Sequence, residues 1–408
     1  MTKITKVLGR QVFDSRGNPT VEAEVYLEDK TKGSAIVPSG ASTGAFEAYE
    51  LRDGDMNYFL GKSVLKAVKN INTLINKNLK NTEISDQKKI DKILLTLDGT
   101  DNKSKLGANA LLAVSLAASK AAARSKKKEI YQHLGKKFLL PKPLMNIING
   151  GAHADNNLRV QEFMIRPDSA KNFMDAIEKC FLVIQNLKKI LQLKKLSTNV
   201  GDEGGFAPSI RSNEEALEMI VDAIEKSKLK AGKDINICLD VAANELINKD
   251  GKYSLNTSKF ISVEESIDYY KKLVSKYPIK SIEDPFAEND WDAWSKLTKE
   301  IGKNVQIVGD DLFVTNVSRL KRGIKEKSAN SILVKVNQIG TLTETLNVIE
   351  LANKNNFNTI ISHRSGDTED TFIADLAVAT QSTQIKTGSL ARSERVAKYN
   401  RLLRIEEQ

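Results

Sequence analysis

An α/β chain with a (β/α)8-type barrel, preceded by a small α+β domain, is the fold the sequence predicts. Three observations predict it. Six short apolar runs end at equivalent points in a charged or polar group: Ile235–Leu239 before Asp240, Ile279–Ile282 before Glu283, Val305–Gly309 before Asp310, Ile332–Val334 before Lys335, Thr359–Ile361 before Ser362-His363-Arg364, and Gln384–Ile385 before Lys386. Segments of helical period, such as Val263–Val274 and Leu342–Asn353, lie between several of them, and strands alternating with such helices make βα units on a parallel sheet. A single charge after a strand is usually a solvated loop residue. Six at equivalent places match the C-terminal face of a barrel, where active sites are built.

Along the chain, alternation at Gln11–Phe13 and Val21–Leu27 predicts a small antiparallel sheet, with helices over Ser63–Leu79 and Gln87–Leu97. Leu106–Ala123 is apolar, but Asn109, Ser115, Ser119 and Lys120 interrupt it, so it reads as a buried alanine-rich helix and not a membrane span. The turn-rich stretch Gly135–Pro143 precedes strand-like Leu144–Ile148 and divides the chain into residues 1–137 and 138–408.

Composition excludes several classes. The net charge of +10 would permit nucleic-acid or anionic-lipid binding, but the lysines are scattered over helices (Lys126-Lys127-Lys128, Lys188-Lys189, Lys194-Lys195) and read as solvated faces. Two cysteines, Cys180 and Cys238, stand in separate apolar contexts, which argues for a reducing compartment and against a disulfide framework. Met1-Thr2-Lys3-Ile4 runs straight into strand-like sequence, so no secretory leader is expected.

The strand ends carry the chemistry. Asp240, Glu283 and Asp310 are acids at the ends of successive strands, and carboxylates brought together need a cation. Oxygen donors without cysteine or histidine suit a hard divalent ion, Mg2+ first. Asp284 and Asp311 follow two of these acids, and alternation along a strand predicts that only the first of each pair faces the site. Lys335 and Lys386, flanked by apolar residues and near other cations, are expected to have lowered pKa values, one serving as base and one as substrate anchor. The acidic loop Gly201-Asp202-Glu203-Gly204-Gly205 offers a general acid, with Glu162 as a partner to share its proton, although such loops are also common surface turns. Arg364 and Ser365 have the fork and the hydroxyl of an anion grip. The loop Val37–Gly44 has the composition of a lid, and also that of an ordinary mobile loop. Among three histidines, His133 reads as structural, while His153 and His363 follow loop signals and are site candidates.

Taken together, these segments resemble the enolase family nearly end to end. The landmarks run from Gly9–Thr20 through Leu106-Gly107-Ala108-Asn109-Ala110, Ser281-Ile282-Glu283-Asp284-Pro285 and Asn337–Glu344 to Arg392–Asn400. The resemblance implies a TIM-like barrel whose first strands include an antiparallel pair. It implies reversible dehydration of 2-phospho-D-glycerate to phosphoenolpyruvate in glycolysis and gluconeogenesis. By residue, it implies Asp240, Glu283 and Asp310 as Mg2+ ligands, Lys335 as the base at C2, and Glu203 as the acid at the C3 hydroxyl with Glu162 beside it. Arg364 and Ser365 would grip the phosphate, Lys386, Gln161 and Glu162 contact the substrate, and His153 and Ser42 close over it. Ser42 would serve a second Mg2+, giving two per closed site, and His363 joins the catalytic set. A cytoplasmic homodimer or higher homo-oligomer is expected.

Departures from the family pattern spare the matched site residues: Arg159 where an acid is usual, Asn244 in place of a commoner serine, Gly135-Lys136 at the junction, a short C-terminus at Gln408, and the basic charge. Two other readings compete. A superfamily member acting on a non-phosphorylated acid would have no use for Arg364-Ser365. A binding protein for RNA or host proteins, with display at the cell surface, would draw on the lysine excess alone.

Overall fold

The computed structural model describes residues 2–40, 44–256 and 259–408. Strands β1 (Ile4–Phe13), β2 (Pro19–Leu27) and β3 (Lys32–Ile36) form an antiparallel sheet in that order. The third strand was not foreseen; it is short and its Lys-Gly-Ser start carries no alternation signal. The alanine-rich helix, Ala108–Ser125, crosses β2 and β3 and is buried along nearly its whole length. Small side chains allow that close approach, and Gly33 of β3 lies directly beneath it.

The helix expected over 63–79 is Leu65–Asn70, a π-turn at Ile71–Ile75, and Asn76–Leu79. The π-turn sets Asn72 and Asn76 against the outer edge of β1. Gly9 N donates to Asn72 Oδ1 at 2.7 Å, Asn72 Nδ2 returns a bond to Gly9 O at 3.0 Å, and Val7 N donates to Asn76 Oδ1 at 2.8 Å. Two amides thereby satisfy a strand edge that would otherwise be open to pairing.

The barrel closes from β4 (Lys142–Asn149), β5 (Glu162–Arg166), β6 (Asn236–Asp240), β7 (Ile279–Glu283), β8 (Gln306–Gly309), β9 (Ser331–Val334), β10 (Asn358–Ser362) and β11 (Gln384–Lys386), with β11 pairing back to β4. All these pairings are parallel except those of β5, which runs against both β4 and β6. No crossover helix lies between β4 and β5, only the short turn Gly151–His153, and a connection without a crossover joins antiparallel neighbours. Two consecutive helices, Phe173–Leu193 and Asn213–Lys226, then lead to β6. The barrel thus has one reversed strand, the antiparallel element that the family resemblance implies and that period alone does not show. Reversal has a local consequence: Glu162, the first residue of β5, pairs with Asp240, the last of β6.

The barrel interior is layered. Leu144, Met164, Cys238, Val308, Leu333 and Ile360 form a dry plug of their own at mid-height. Below it Gln306 and Gln384 exchange hydrogen bonds of 2.8 and 3.2 Å, with Ser281 accepting from Gln306 at 3.1 Å. Above it lie the ionised side chains. Both cysteines are free and buried, and burial pushes the Cys238 thiol up to about 12. Among the described residues no helix is long and apolar enough to cross a membrane.

A Cβ built on Gly33 would fall 2.3 Å from both the Ala117 carbonyl oxygen and the Ala121 nitrogen, backbone atoms that cannot swing aside. Gly33→Ala is expected to cost about 1–3 kcal/mol. Chemical denaturation checks this; an unchanged midpoint would mean that the helix rides freely over the sheet.

Candidate active site

Lys386 Nζ sits at the centre of the upper layer. It donates to Asp240 Oδ2 at 2.9 Å and Glu283 Oε1 at 2.8 Å, and lies 3.1 Å from Glu162 Oε1. Lys335 Nζ bonds Asp310 Oδ2. Lys386 is buried and Lys335 half-buried, and loss of water around each opposes its charge. Asp310 outweighs it at Lys335, and Asp240 with Glu162 at Lys386, so both are held above the usual lysine value. The expectation of lowered lysine pKa values is corrected: each ammonium faces carboxylates more closely than it faces another cation.

Alternation along the strands also fails at their ends. Asp284 has φ +41°, in the left-handed region, so the chain turns as β7 finishes. Its carboxylate accepts from the backbone nitrogens of Asp310 and Asp311, each at 2.9 Å. Asp284, Asp310 and Asp311 each bring a ligand atom within 4.8 Å of the others, as do His153, Glu162 and Glu203. Asp284 and Asp311 thus line the site beside Asp310 and do not face away. Asn244 Nδ2 donates to Asp311 Oδ2 at 2.8 Å, and burial followed by the Asp310 charge pushes Asp311 up to about 7.

Asn146 Nδ2 donates to Glu162 Oε2 at 3.1 Å and to Glu203 Oε2 at 3.2 Å, bridging the two acids. Burial, then the charge of Glu203, pushes Glu162 well above the carboxylate range. Burial pushes Glu203 the same way, but His363 and His153 outweigh it and hold it low. The pair's proton therefore rests on Glu162. His363 is held neutral by burial, with its pKa pushed down to about 4. Arg395 Nη1, a permanent donor, lies 2.7 Å from His363 Nδ1 and makes that nitrogen the acceptor. The remaining proton is then on Nε2, which lies 3.3 Å from Glu203 Oε1. His153 Nδ1 lies 3.5 Å from Glu162 and 3.8 Å from Glu203.

Arg395, buried on helix Ser393–Glu406, also donates to the carbonyls of Arg364 at 2.6 Å, Ser365 at 2.7 Å and Asp202 at 3.2 Å. Lys398, one turn on, donates to Asp367 Oδ1 at 3.0 Å. Together they fix the His363–Ser365 turn against the Glu203 loop. Gln161 Nε2 reaches Asp240 Oδ2 at 3.4 Å. Ser42 lies outside the described residues.

Glu162, Glu203, His153, Gln161, Asp240, Asp310, Lys335, His363, Arg364, Ser365 and Lys386 thus line one cavity of about 30 Å³. Glu283 reaches that group through Lys386. Sequence reasoning missed Asn146, Asp284, Asp311 and Arg395. A mid-strand asparagine gave no signal, and neither did two cations three apart on the last helix, whose burial only the structure shows.

Buried polar atoms without a partner among the described residues concentrate here: Glu283 Oε2, Asn146 Oδ1, both amide atoms of Asn149, Gln161 Oε1 and His153 Nδ1. The oxygens among them, Glu283 Oε2, Asn146 Oδ1 and Gln161 Oε1, are acceptors without a donor, which is what a hard cation beside a carboxylate cluster requires. The residues fit a divalent metal.

Comparison with known proteins agrees. Residues 4–134 match the model described as "Enolase, N-terminal domain", and residues 137–408 match "Enolase, C-terminal TIM barrel domain". The chain belongs to the enolase family. The enolase of Pelagibacter ubique (strain HTCC1062) is 64% identical over 410 residues, covering 100% of this chain and 97% of that protein. Enolases use a divalent metal and a small-molecule substrate.

Asp367 supplies a pH test of this architecture. Burial pushes its carboxyl up, but Lys398 and Arg395 outweigh burial and hold it below the usual range. A depressed folded pKa gives stability that is full above the unfolded value of about 3.9 and is lost as pH falls through the folded value. Asp367→Asn is expected to cost about 3–5 kcal/mol at neutral pH, because two buried cations lose their counter-charge. The gap to wild type should narrow below about pH 4. Denaturation across pH checks both; a gap that is constant with pH would remove the ionic explanation.

Proposed function

We propose that this chain dehydrates 2-phospho-D-glycerate to phosphoenolpyruvate and water, reversibly, as a metal-dependent carbon–oxygen lyase. One observation carries the reading: a single cavity gathers an amine, a proton-sharing carboxyl pair, an acidic cluster and a buried guanidinium. Loss of water from a β-hydroxy acid needs a base at the carbon beside the carboxylate, an acid at the departing hydroxyl, and charge stabilisation between them.

Lys335 is the base for the C2 proton and acts in its neutral amine form, whose population the adjoining Asp310 keeps low. Glu203 delivers the proton to the C3 hydroxyl, drawing it from the neighbouring Glu162, while Asn146 holds the two carboxyls side by side and neutral His363 keeps Glu203 oriented. Arg364 and Ser365 take the phosphoryl group, and Lys386, Gln161 and His153 position the rest. Asp240, Glu283 and Asp310 would hold Mg2+, with Ser42 reserved for a second ion. When bound, the metal supplies counter-charge to the carboxylates and to the enolate oxygens. Lys386 supplies that counter-charge within the protein itself, and Lys335 adds to it once it has taken the C2 proton. The chain divides at 137/138, acts in the cytoplasm, and forms a symmetric homodimer, the commonest closed assembly.

Phosphoenolpyruvate formation is followed with and without Mg2+. Lys335→Ala should lower turnover by roughly 10²–10⁴-fold with the fold intact. A mutant as active as wild type would dismiss Lys335 as base, and an inactive wild type would dismiss the reaction.

Calorimetric titration with Mg2+ locates the metal. Asp240→Asn and Glu283→Gln should weaken binding more than Asp311→Asn does. The reverse order would move the centre to Asp284, Asp310 and Asp311.

A further inference from the structure

The guanidinium assigned to the substrate's phosphoryl group already holds an anion. Arg364 is buried; its Nη1 donates to Glu47 Oε2 at 2.9 Å and its Nη2 to Glu47 Oε1 at 3.1 Å. Nη1 also reaches Asn337 Oδ1 at 3.2 Å. This two-oxygen, fork-on-fork geometry is the one an arginine presents to a phosphoryl group. The fit is tight, because a Cβ on Gly40 would lie 1.9 Å from Arg364 Nη2. Glu47 is held in place as well, with Oε1 accepting from Gly44 N at 3.2 Å and from Gln338 Nε2 at 3.4 Å. Gln338 in turn is anchored by Thr315 Oγ1 at 2.7 Å.

We propose that Glu47 sets the anion selectivity of this site: it is an internal carboxylate seated on the Arg364 fork, which a phosphoryl dianion displaces and a monoanion does not. The proposal rests on the reading of Arg364 as the phosphate grip and extends it. Any ligand of the fork binds only the fraction of molecules in which Glu47 has left, so its apparent affinity falls by that fraction. A carboxylate ligand offers Arg364 no more than Glu47 does and has nothing to set against that loss. A phosphomonoester, with a charge of about −1.5 to −2 and three acceptor oxygens, binds the same fork more strongly than a carboxylate. Selectivity thus comes from a competitor built into the chain, rejecting wrong anions more than it holds the right one.

Isothermal titration of the full chain with inorganic phosphate and with acetate tests this in wild type, Glu47→Gln, Glu47→Asp and Arg364→Gln. Glu47→Gln should bind phosphate about tenfold more tightly and acquire measurable acetate binding, losing the discrimination. Glu47→Asp, whose shorter carboxylate holds the fork less well, should fall between the two and decides the matter if Glu47→Gln does not fold. The Michaelis constant for the phosphorylated substrate should fall in the same order. Phosphate binding that is unchanged or weaker in both Glu47 variants overturns the proposal and leaves Glu47 as a prop for Arg364. Phosphate binding that survives Arg364→Gln undiminished overturns the grip reading itself, in an arm separate from the Glu47 comparison.

Discussion

Charge balance around Lys386 is the constraint on which the rest of the upper barrel depends. Its side chain is 3% exposed, and it serves acids from β5, β6 and β7 while ending β11, the strand that closes the barrel onto β4. Carboxylates taken out of water without a counter-charge are costly by several kcal/mol each. The ammonium thus supplies to these acids the kind of counter-charge that a divalent ion would supply. Asp240, beside it, is held below the usual range despite burial, whereas Glu283 is pushed above it by burial and by Asp240. The site holds more negative charge than its own lysines can neutralise.

A second layer of control lies outside the cavity. Arg395 lines none of it, yet it fixes the His363 tautomer and clamps the turn that carries Arg364 and Ser365. A permanent cation on the last helix thus decides which imidazole nitrogen faces Glu203. The proton economy of Glu162 and Glu203 is set through that neutral imidazole and through Asn146. The acidity of the pair is then a property of the network and not of one carboxyl.

The sequence was most legible where backbone period and chemistry coincide. Asp240, Glu283, Asp310, Lys335, Arg364 and Lys386 each close an apolar run, and the structure gathers them at one end of the barrel. The family resemblance supplied what period cannot, the reversed β5, because a five-residue strand reads the same in either direction. Alternation misled at Asp284 and Asp311, since period two holds only inside a strand and Asp284 has already left it with a positive φ. Burial of whole side chains, as at Arg395, was invisible because composition treats every arginine as solvated. The lysine pKa direction went wrong for the same reason: which charge lies nearest is a fact of three dimensions.

Reversal of β5 also bears on how the molecule is born. β4, β5 and β6 form a meander of antiparallel pairs early in the barrel segment, whereas the β11–β4 pairing joins its two ends. During synthesis the meander can assemble while the remaining strands are still unmade, leaving β4 with a bare edge until the final residues emerge. Glu162 would already face Asp240 on that half-built ribbon, two acids with no ammonium between them. The nascent chain carries its least comfortable charges first, and the residue that relieves them arrives on the last strand.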